Sequence, residues 1–177
     1  MKLVILDRDG TINVDSPDFI KSPAEWQPIP GSLEAIARLH QADYRVVVAT
    51  NQSGIGRGLF DTQALFAIHD KLQRALGQVG GRIDAFFFCP HAADSACQCR
   101  KPKPGMLIEI ARRFNVALED TYMVGDARRD VEAAAAAGAR PVLVLTGKGA
   151  RTKAEGNLPP GTEIFPDLAA FAEQLAP

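Results

Sequence analysis

Apolar residues in this chain gather in short runs, with stretches of helical spacing between them. The runs at 3–6, 44–49, 85–88, 122–124 and 141–145 are rich in Val, Leu and Phe and do not alternate strictly with polar residues. That pattern predicts strands buried on both faces. Between them, residues 32–41 follow Pro30-Gly31 and are apolar at Leu33, Ile36, Ala37 and Leu39. Residues 61–76 open on Asp61-Thr62, a plausible cap, and set Leu65, Ile68, Leu72 and Leu76 on one helical face. Pro104 suits the first turn of a helix running through Met106, Ile110 and Phe114. An alanine-rich helix over 128–137 stops at Gly138, and a last helix covers 167–175. Strands alternating with helices predict an α/β fold, a parallel sheet with helices on both faces.

Two segments fit no regular element. Residues 13–30 carry four prolines and the lone Trp26, and residues 89–102 carry every cysteine. Both read as functional insertions on a single domain spanning 1–177, without a large cap domain. The N-terminal apolar run is too short for a signal peptide and ends on Asp7, and no run approaches membrane-spanning length. The expected location is therefore the cytoplasm. Hydrophobic residues make up 46% of the chain and the formal net charge is −1, so a polyanionic partner is not expected. The reading is a monomer that binds neither nucleic acid nor membrane.

The first strand runs into Asp7-Arg8-Asp9-Gly10-Thr11. Ligands of open α/β sheets bind beyond the carboxyl ends of strands. There Asp7 can attack phosphorus, and Asp9 can protonate the leaving alcohol and later activate water. Two neighbouring acids repel, and Mg²⁺ relieves that repulsion. The second strand ends in Thr50-Asn51-Gln52-Ser53-Gly54, whose hydroxyl, amide and backbone N–H groups can hold phosphate oxygens. Lys101 can pair with both nucleophile and phosphate, and Arg100 can grip a second anionic group. The fourth strand ends in Gly125-Asp126, with Asp130 one helical turn later. Asp126 is read as completing the Mg²⁺ shell, with helix capping as its plainer alternative. Asp130 would orient it or contact a loop. His40 and His69 lie in helical patterns and read as ordinary surface residues.

Taken in order, Asp7-Arg8-Asp9-Gly10-Thr11, Thr50-Asn51, Lys101-Pro102 and Gly125-Asp126 with Asp130 resemble the four-motif signature of the haloacid dehalogenase superfamily of phosphatases. The resemblance implies a Rossmann-like sheet, Mg²⁺ dependence and an aspartyl-phosphate intermediate. It makes Asp7 the nucleophile, Asp9 the general acid/base, and Thr50 and Lys101 phosphate binders. Asp7, Asp126 and the Asp9 carbonyl would hold Mg²⁺.

A second signal is Cys89-Pro90-His91 followed by Cys97-Gln98-Cys99. Three thiolates and one imidazole make a closed tetrahedral set for structural Zn²⁺. With the loop leading into Arg100-Lys101-Pro102, the chain resembles the heptose bisphosphate phosphatase family, with histidinol-phosphate phosphatases as relatives. That resemblance implies removal of the 7-phosphate of a heptose 1,7-bisphosphate during synthesis of ADP-heptose for lipopolysaccharide. Arg100, Asn51, Gln52 and Ser53 would meet the substrate, as would Asp15 and Asp18 from the segment after the first motif. Ala127 stands where some relatives carry a basic residue, and Arg128 or Arg129 would compensate. The alternatives are a histidinol-phosphate phosphatase and a non-catalytic zinc-binding interaction module.

Overall fold

The computed structural model describes residues Met1–Pro177. Its centre is β1 (Lys2–Leu6), flanked by β2 (Tyr44–Asn51) and β4 (Tyr122–Gly125). β3 (Ala85–Cys89) lies outside β2, while β5 (Arg140–Val144) and β6 (Glu163–Phe165) continue beyond β4. The sheet has six parallel strands in the order β3-β2-β1-β4-β5-β6.

Side chains alternate between two buried faces, which explains the missing polar alternation. Val4, Leu6, Val46, Val48 and Val124 pack with α1 (Ser32–Gln41), α3 (Thr62–Gln78) and α7 (Leu168–Leu175). Leu3, Ile5, Val47, Ala49 and Met123 pack on the other side with α4 (Gly105–Phe114) and α5 (Arg128–Ala137). Burying each such Val, Leu, Ile or Met side chain contributes about 1.5–3 kcal/mol. β3 departs from the expectation of full burial. As an edge strand it leaves Phe86, Phe87 and Phe88 half-buried.

Local chemistry sets the helix ends. The Asp61 carboxylate accepts from Ala64 N at 2.9 Å, and that of Asp167 from Ala170 N at 2.8 Å. Gly138 closes α5 in the left-handed conformation that glycine adopts without penalty. Three elements escape the sequence pattern: β6, α2 (Ser53–Gly56) and α6 (Gly149–Glu155). The first two are very short, and α6 carries no apolar side chain larger than alanine.

The connection from β1 to α1 holds one short 3-10 turn, Pro23–Glu25, and no inserted domain. Trp26 fixes it to the main core, where it is 1% exposed. Because the strands are parallel, β1, β2 and β4 present their carboxyl ends at one edge. The chain turns left from β1 through β2 to β3, then crosses back to β4. The crevice between β1 and β4 is therefore the topological switch point.

Candidate active site

Asp7 continues the β1 ladder by donating its N–H to Val124 O at 2.8 Å, which sets its buried carboxylate beside the end of β4. The Lys101 ammonium lies 3.0 Å from Asp7 Oδ1 and 2.7 Å from Asp130 Oδ1, and donates to Ala49 O at 2.7 Å. The ammonium is thus held between two carboxylates and one carbonyl. In this state Lys101 is a counter-charge first. Asp126 Oδ2 accepts from Lys148 N at 2.8 Å. Asp130 Oδ2 accepts from Ala127 N at 3.0 Å, so Asp130, rather than Asp126, caps α5.

Asp7 Oδ2 and Asp126 Oδ1 are buried without a hydrogen-bond partner. Carboxylate oxygens of Asp7, Asp126 and Asp130 lie within 4.8 Å of one another. Burial, then repulsion from Asp130, raises the Asp7 pKa to about 6 against the pull of Lys101 and Arg129. Burial, then Asp7 and Asp130, raises Asp126 to about 7. Hard oxygen donors, unpaired and mutually repelling, fit a divalent cation such as Mg²⁺.

A pH dependence follows. A carboxyl whose folded pKa is raised contributes stability below its ordinary value, and loses it as pH rises through the folded one. For Asp7 and Asp126 that window runs from about 4 to about 7. The Tm of metal-free protein should fall across it, relative to a variant with Asn at both positions. Added Mg²⁺ should raise Tm at about pH 7.5 and have little effect near pH 4.5. An equal Mg²⁺-induced shift at both pH values in thermal melts would contradict this account.

Asp9 sits at the mouth of the same edge. Its Oδ1 accepts from Arg8 Nε at 2.8 Å and Asn13 Nδ2 at 3.0 Å, and its Oδ2 from Gln52 Nε2 at 3.1 Å. Burial pushes its pKa up, but the Arg8 charge and these hydrogen bonds outweigh that and lower it. Gln52 also donates to Thr50 Oγ1 at 2.9 Å, leaving the buried Thr50 hydroxyl proton free for an anion.

The remaining residues expected to meet substrate divide. Asn51 is engaged with the backbone of Lys101, donating to its carbonyl at 3.0 Å and accepting from its N–H at 3.1 Å. Its amide therefore positions Lys101 and is not free for phosphate. Ser53 is buried at the start of α2. Asp15 is half-buried and pairs with Lys148 Nζ at 3.1 Å, beside a groove of about 530 Å³ formed with Val14, Ser16, Thr146 and Gly147. Asp18 is exposed. A larger groove of about 670 Å³ between α1 and α7 shares no residue with the carboxylates. Arg100 is half-exposed and aims Nη1 at His91 O, at 3.5 Å.

Arg128 donates to the carbonyls of Gly156 and Asn157. Arg129 instead has a buried Nε without a partner, and Asp7, Asp130, Asp126 and Asp15 draw its pKa upward against burial. Arg129 thus lies within electrostatic reach of the carboxylates. Lys148 escaped the sequence reading because its backbone N–H, which any residue offers, makes the Asp126 contact. His69 corrects an expectation. It is not a surface residue but 5% exposed, stacked on Phe86 and 3.2 Å from Arg8.

The zinc candidates converge as well. His91 Nδ1 lies 3.4 Å from both Cys89 Sγ and Cys99 Sγ, and the sulfurs of Cys89 and Cys97 are 3.7 Å apart. Zinc bonds of ordinary length give tetrahedral edges of about 3.5–3.8 Å, so the donor set fits that ion with no position left for water. Gln52 N donates to Cys89 O and Gly56 N to Pro90 O, so the loop is tied to the segment carrying Thr50. Protein purified without chelator should contain about one zinc per chain, and Cys99→Ser should lose it. That variant should also gain protease cleavage within 89–102 and a lower Tm. Elemental analysis finding no zinc under reducing conditions would overturn the assignment.

Residues 98–171 match the family model described as HAD-hydrolase-like. A D-glycero-β-D-manno-heptose-1,7-bisphosphate 7-phosphatase of Bordetella bronchiseptica is 62% identical over 175 residues, covering 99% of this chain and 98% of the relative. One of Pseudomonas aeruginosa is 54% identical over 173 residues, covering 98% and 97%. A crystal structure of D,D-heptose 1,7-bisphosphate phosphatase from B. bronchiseptica, complexed with magnesium and phosphate, superposes with a TM-score of 0.98 at 62% identity, covering 99% of this chain and 98% of that one.

Proposed function

Since the chain belongs to the heptose-1,7-bisphosphate 7-phosphatase family of HAD-like hydrolases, we propose that it removes the 7-phosphate of D-glycero-β-D-manno-heptose 1,7-bisphosphate, a step toward ADP-heptose for lipopolysaccharide. One observation carries the reading. Asp7 has one oxygen neutralised by Lys101 and the other buried and unpartnered next to Asp126.

In this reading the Asp7 carboxylate attacks phosphorus, the bond from phosphorus to O7 breaks, and Asp9 delivers a proton to O7. The resulting aspartyl phosphate is attacked by water, which passes a proton to Asp9 and frees Asp7 and phosphate. Lys101 holds Asp7 ionised between turnovers, and the Thr50 hydroxyl donates to the phosphoryl oxygens. Mg²⁺, held by Asp7, Asp126 and the Asp9 carbonyl, supplies positive charge that screens an anionic nucleophile from an anionic substrate. Zn²⁺ on Cys89, His91, Cys97 and Cys99 stiffens the loop that presents Arg100. We assign Arg100 to the 1-phosphate, because a guanidinium fork suits an anion better than a hydroxyl. Gln52, Ser53, Asp15 and Asp18 border the sugar. The whole of 1–177 acts as one monomeric domain. Its three cysteines form no disulfide, which suits the reducing cytoplasm, and no helix is long and apolar enough to cross a membrane.

Phosphate release from both heptose bisphosphate anomers and from histidinol phosphate tests the reading. The β anomer should give the highest kcat/KM, and a preference for histidinol phosphate would overturn it. Arg100→Ala should lower kcat/KM for the bisphosphate by about tenfold or more, and affect a small monophosphate much less, with zinc content unchanged. An equal loss on both substrates would leave Arg100 a loop brace only.

A further inference from the structure

Arg8 is completely buried in the middle of the first motif, and none of the steps above uses it. Its Nε contacts Asp9 Oδ1 at 2.8 Å, and its Nη1 lies 3.2 Å from His69 Nε2 on α3, 61 positions away in sequence. Nη2 has no partner. A buried guanidinium with an uncommitted nitrogen is an expensive way to build a core, since apolar replacements of such groups are often neutral or stabilising. Its one carboxylate partner is Asp9.

A guanidinium only donates hydrogen bonds. At 3.2 Å, His69 Nε2 must therefore accept, which requires a neutral ring protonated at Nδ1. The ring lies 4.1 Å from the Phe86 ring, 11° from parallel, so stacking fixes the plane in which that lone pair points. Burial and the Arg8 charge disfavour the imidazolium, which agrees with this assignment.

The contacts on Asp9 are unequal. Oδ1 is filled by Arg8 and Asn13, whereas Oδ2 meets only Gln52 and keeps a free lone pair. Oδ2 is thus the oxygen able to carry the transferable proton. A rotation of the carboxylate would exchange the two, and the fixed guanidinium opposes it.

We propose that His69 is a positioning residue, which acts through Arg8 to hold the Asp9 carboxylate with Oδ2 turned to the leaving group. The inference rests on the reading of Asp9 as the general acid/base. The hydrogen-bonding and stacking contacts of His69 are with Arg8 and Phe86.

The test compares leaving groups. The sugar alkoxide needs a proton to depart, whereas 4-nitrophenolate does not. For His69→Leu, kcat/KM on the heptose bisphosphate should fall about tenfold, and on 4-nitrophenyl phosphate by less than about twofold. KM for the bisphosphate should change little. His69→Gln, whose amide oxygen can accept from Arg8, should recover most of the loss. Equal losses on both substrates, or no recovery with glutamine, would overturn the proposal. Wild-type turnover of the heptose bisphosphate separately tests the substrate assignment. If the leucine variant does not fold, nitrogen NMR of the wild-type imidazole decides: an Nδ1-protonated ring upholds the bracket, and an Nε2-protonated ring overturns it.

Discussion

Replacing Asp7 with asparagine should abolish turnover and raise the Tm of the metal-free protein. The activity loss follows because an amide oxygen is a poor nucleophile and the structure offers no second carboxylate with the same access. Asp126 is held by Lys148, and Asp130 by Lys101 and the start of α5. A loss of about 10³-fold or more in kcat is expected. The stability gain follows from the raised pKa. Above about pH 6 the folded protein carries an ionised Asp7 that burial and its neighbours disfavour. Asparagine keeps the shape and removes the charge. Phosphate release at several substrate concentrations and thermal melts in chelator check both parts. A variant with the wild-type rate would remove Asp7 from the role of nucleophile. Mass spectrometry of acid-quenched wild type should find the phosphoryl adduct on the peptide containing Asp7.

Lys101→Met should damage stability and chemistry together. Lys101 is 1% exposed and bridges Asp7 and Asp130, so methionine fills the space but leaves both carboxylates buried without their cation. Breaking a buried pair from one side costs about 3–5 kcal/mol. For a chain of this size that corresponds to a Tm lower by about 6–20 °C. The deficit should shrink toward acidic pH, where protonation relieves the unpaired charge. A deficit independent of pH would mean that packing, and not charge, made Lys101 important. Turnover should fall even at saturating substrate, since Asp7 loses the charge that keeps it ionised.

The sequence was most informative where chemistry and chain order coincide. Asp7, Thr50 and Asp126 each follow an apolar run, and parallel strands deliver such residues to one edge regardless of how the intervening helices pack. The four zinc candidates fall within one short segment, so their convergence needs little tertiary information. Asp61, Asp167 and Gly138 ended helices by local hydrogen bonding or backbone freedom, which the sequence also carries. What stayed hidden depends on distance across the fold. His69 sits beside buried Ile68 on α3, and only the placement of Arg8 and Phe86 turns that flank of the helix inward. The amide of Asn51 looked available for phosphate until the zinc loop brought the Lys101 backbone against it. β6 has three residues and no periodicity to read; its pairing with β5 defines it.

Gly10 and Gly147 both have positive φ and face the same carboxylate. A Cβ on either would collide with Asp126, and one on Gly147 would also strike the Gly10 backbone. The turns after β1 and β5 are therefore in van der Waals contact through bare backbone, with no side chain between them to yield. For anyone retargeting this scaffold, that seam is a boundary. Codons for Gly10 and Gly147 are best left out of a randomised library, since even alanine would push on Asp126. Diversity belongs instead at Val14, Ser16 and Arg100, where the surface has room to change shape without touching the carboxylates.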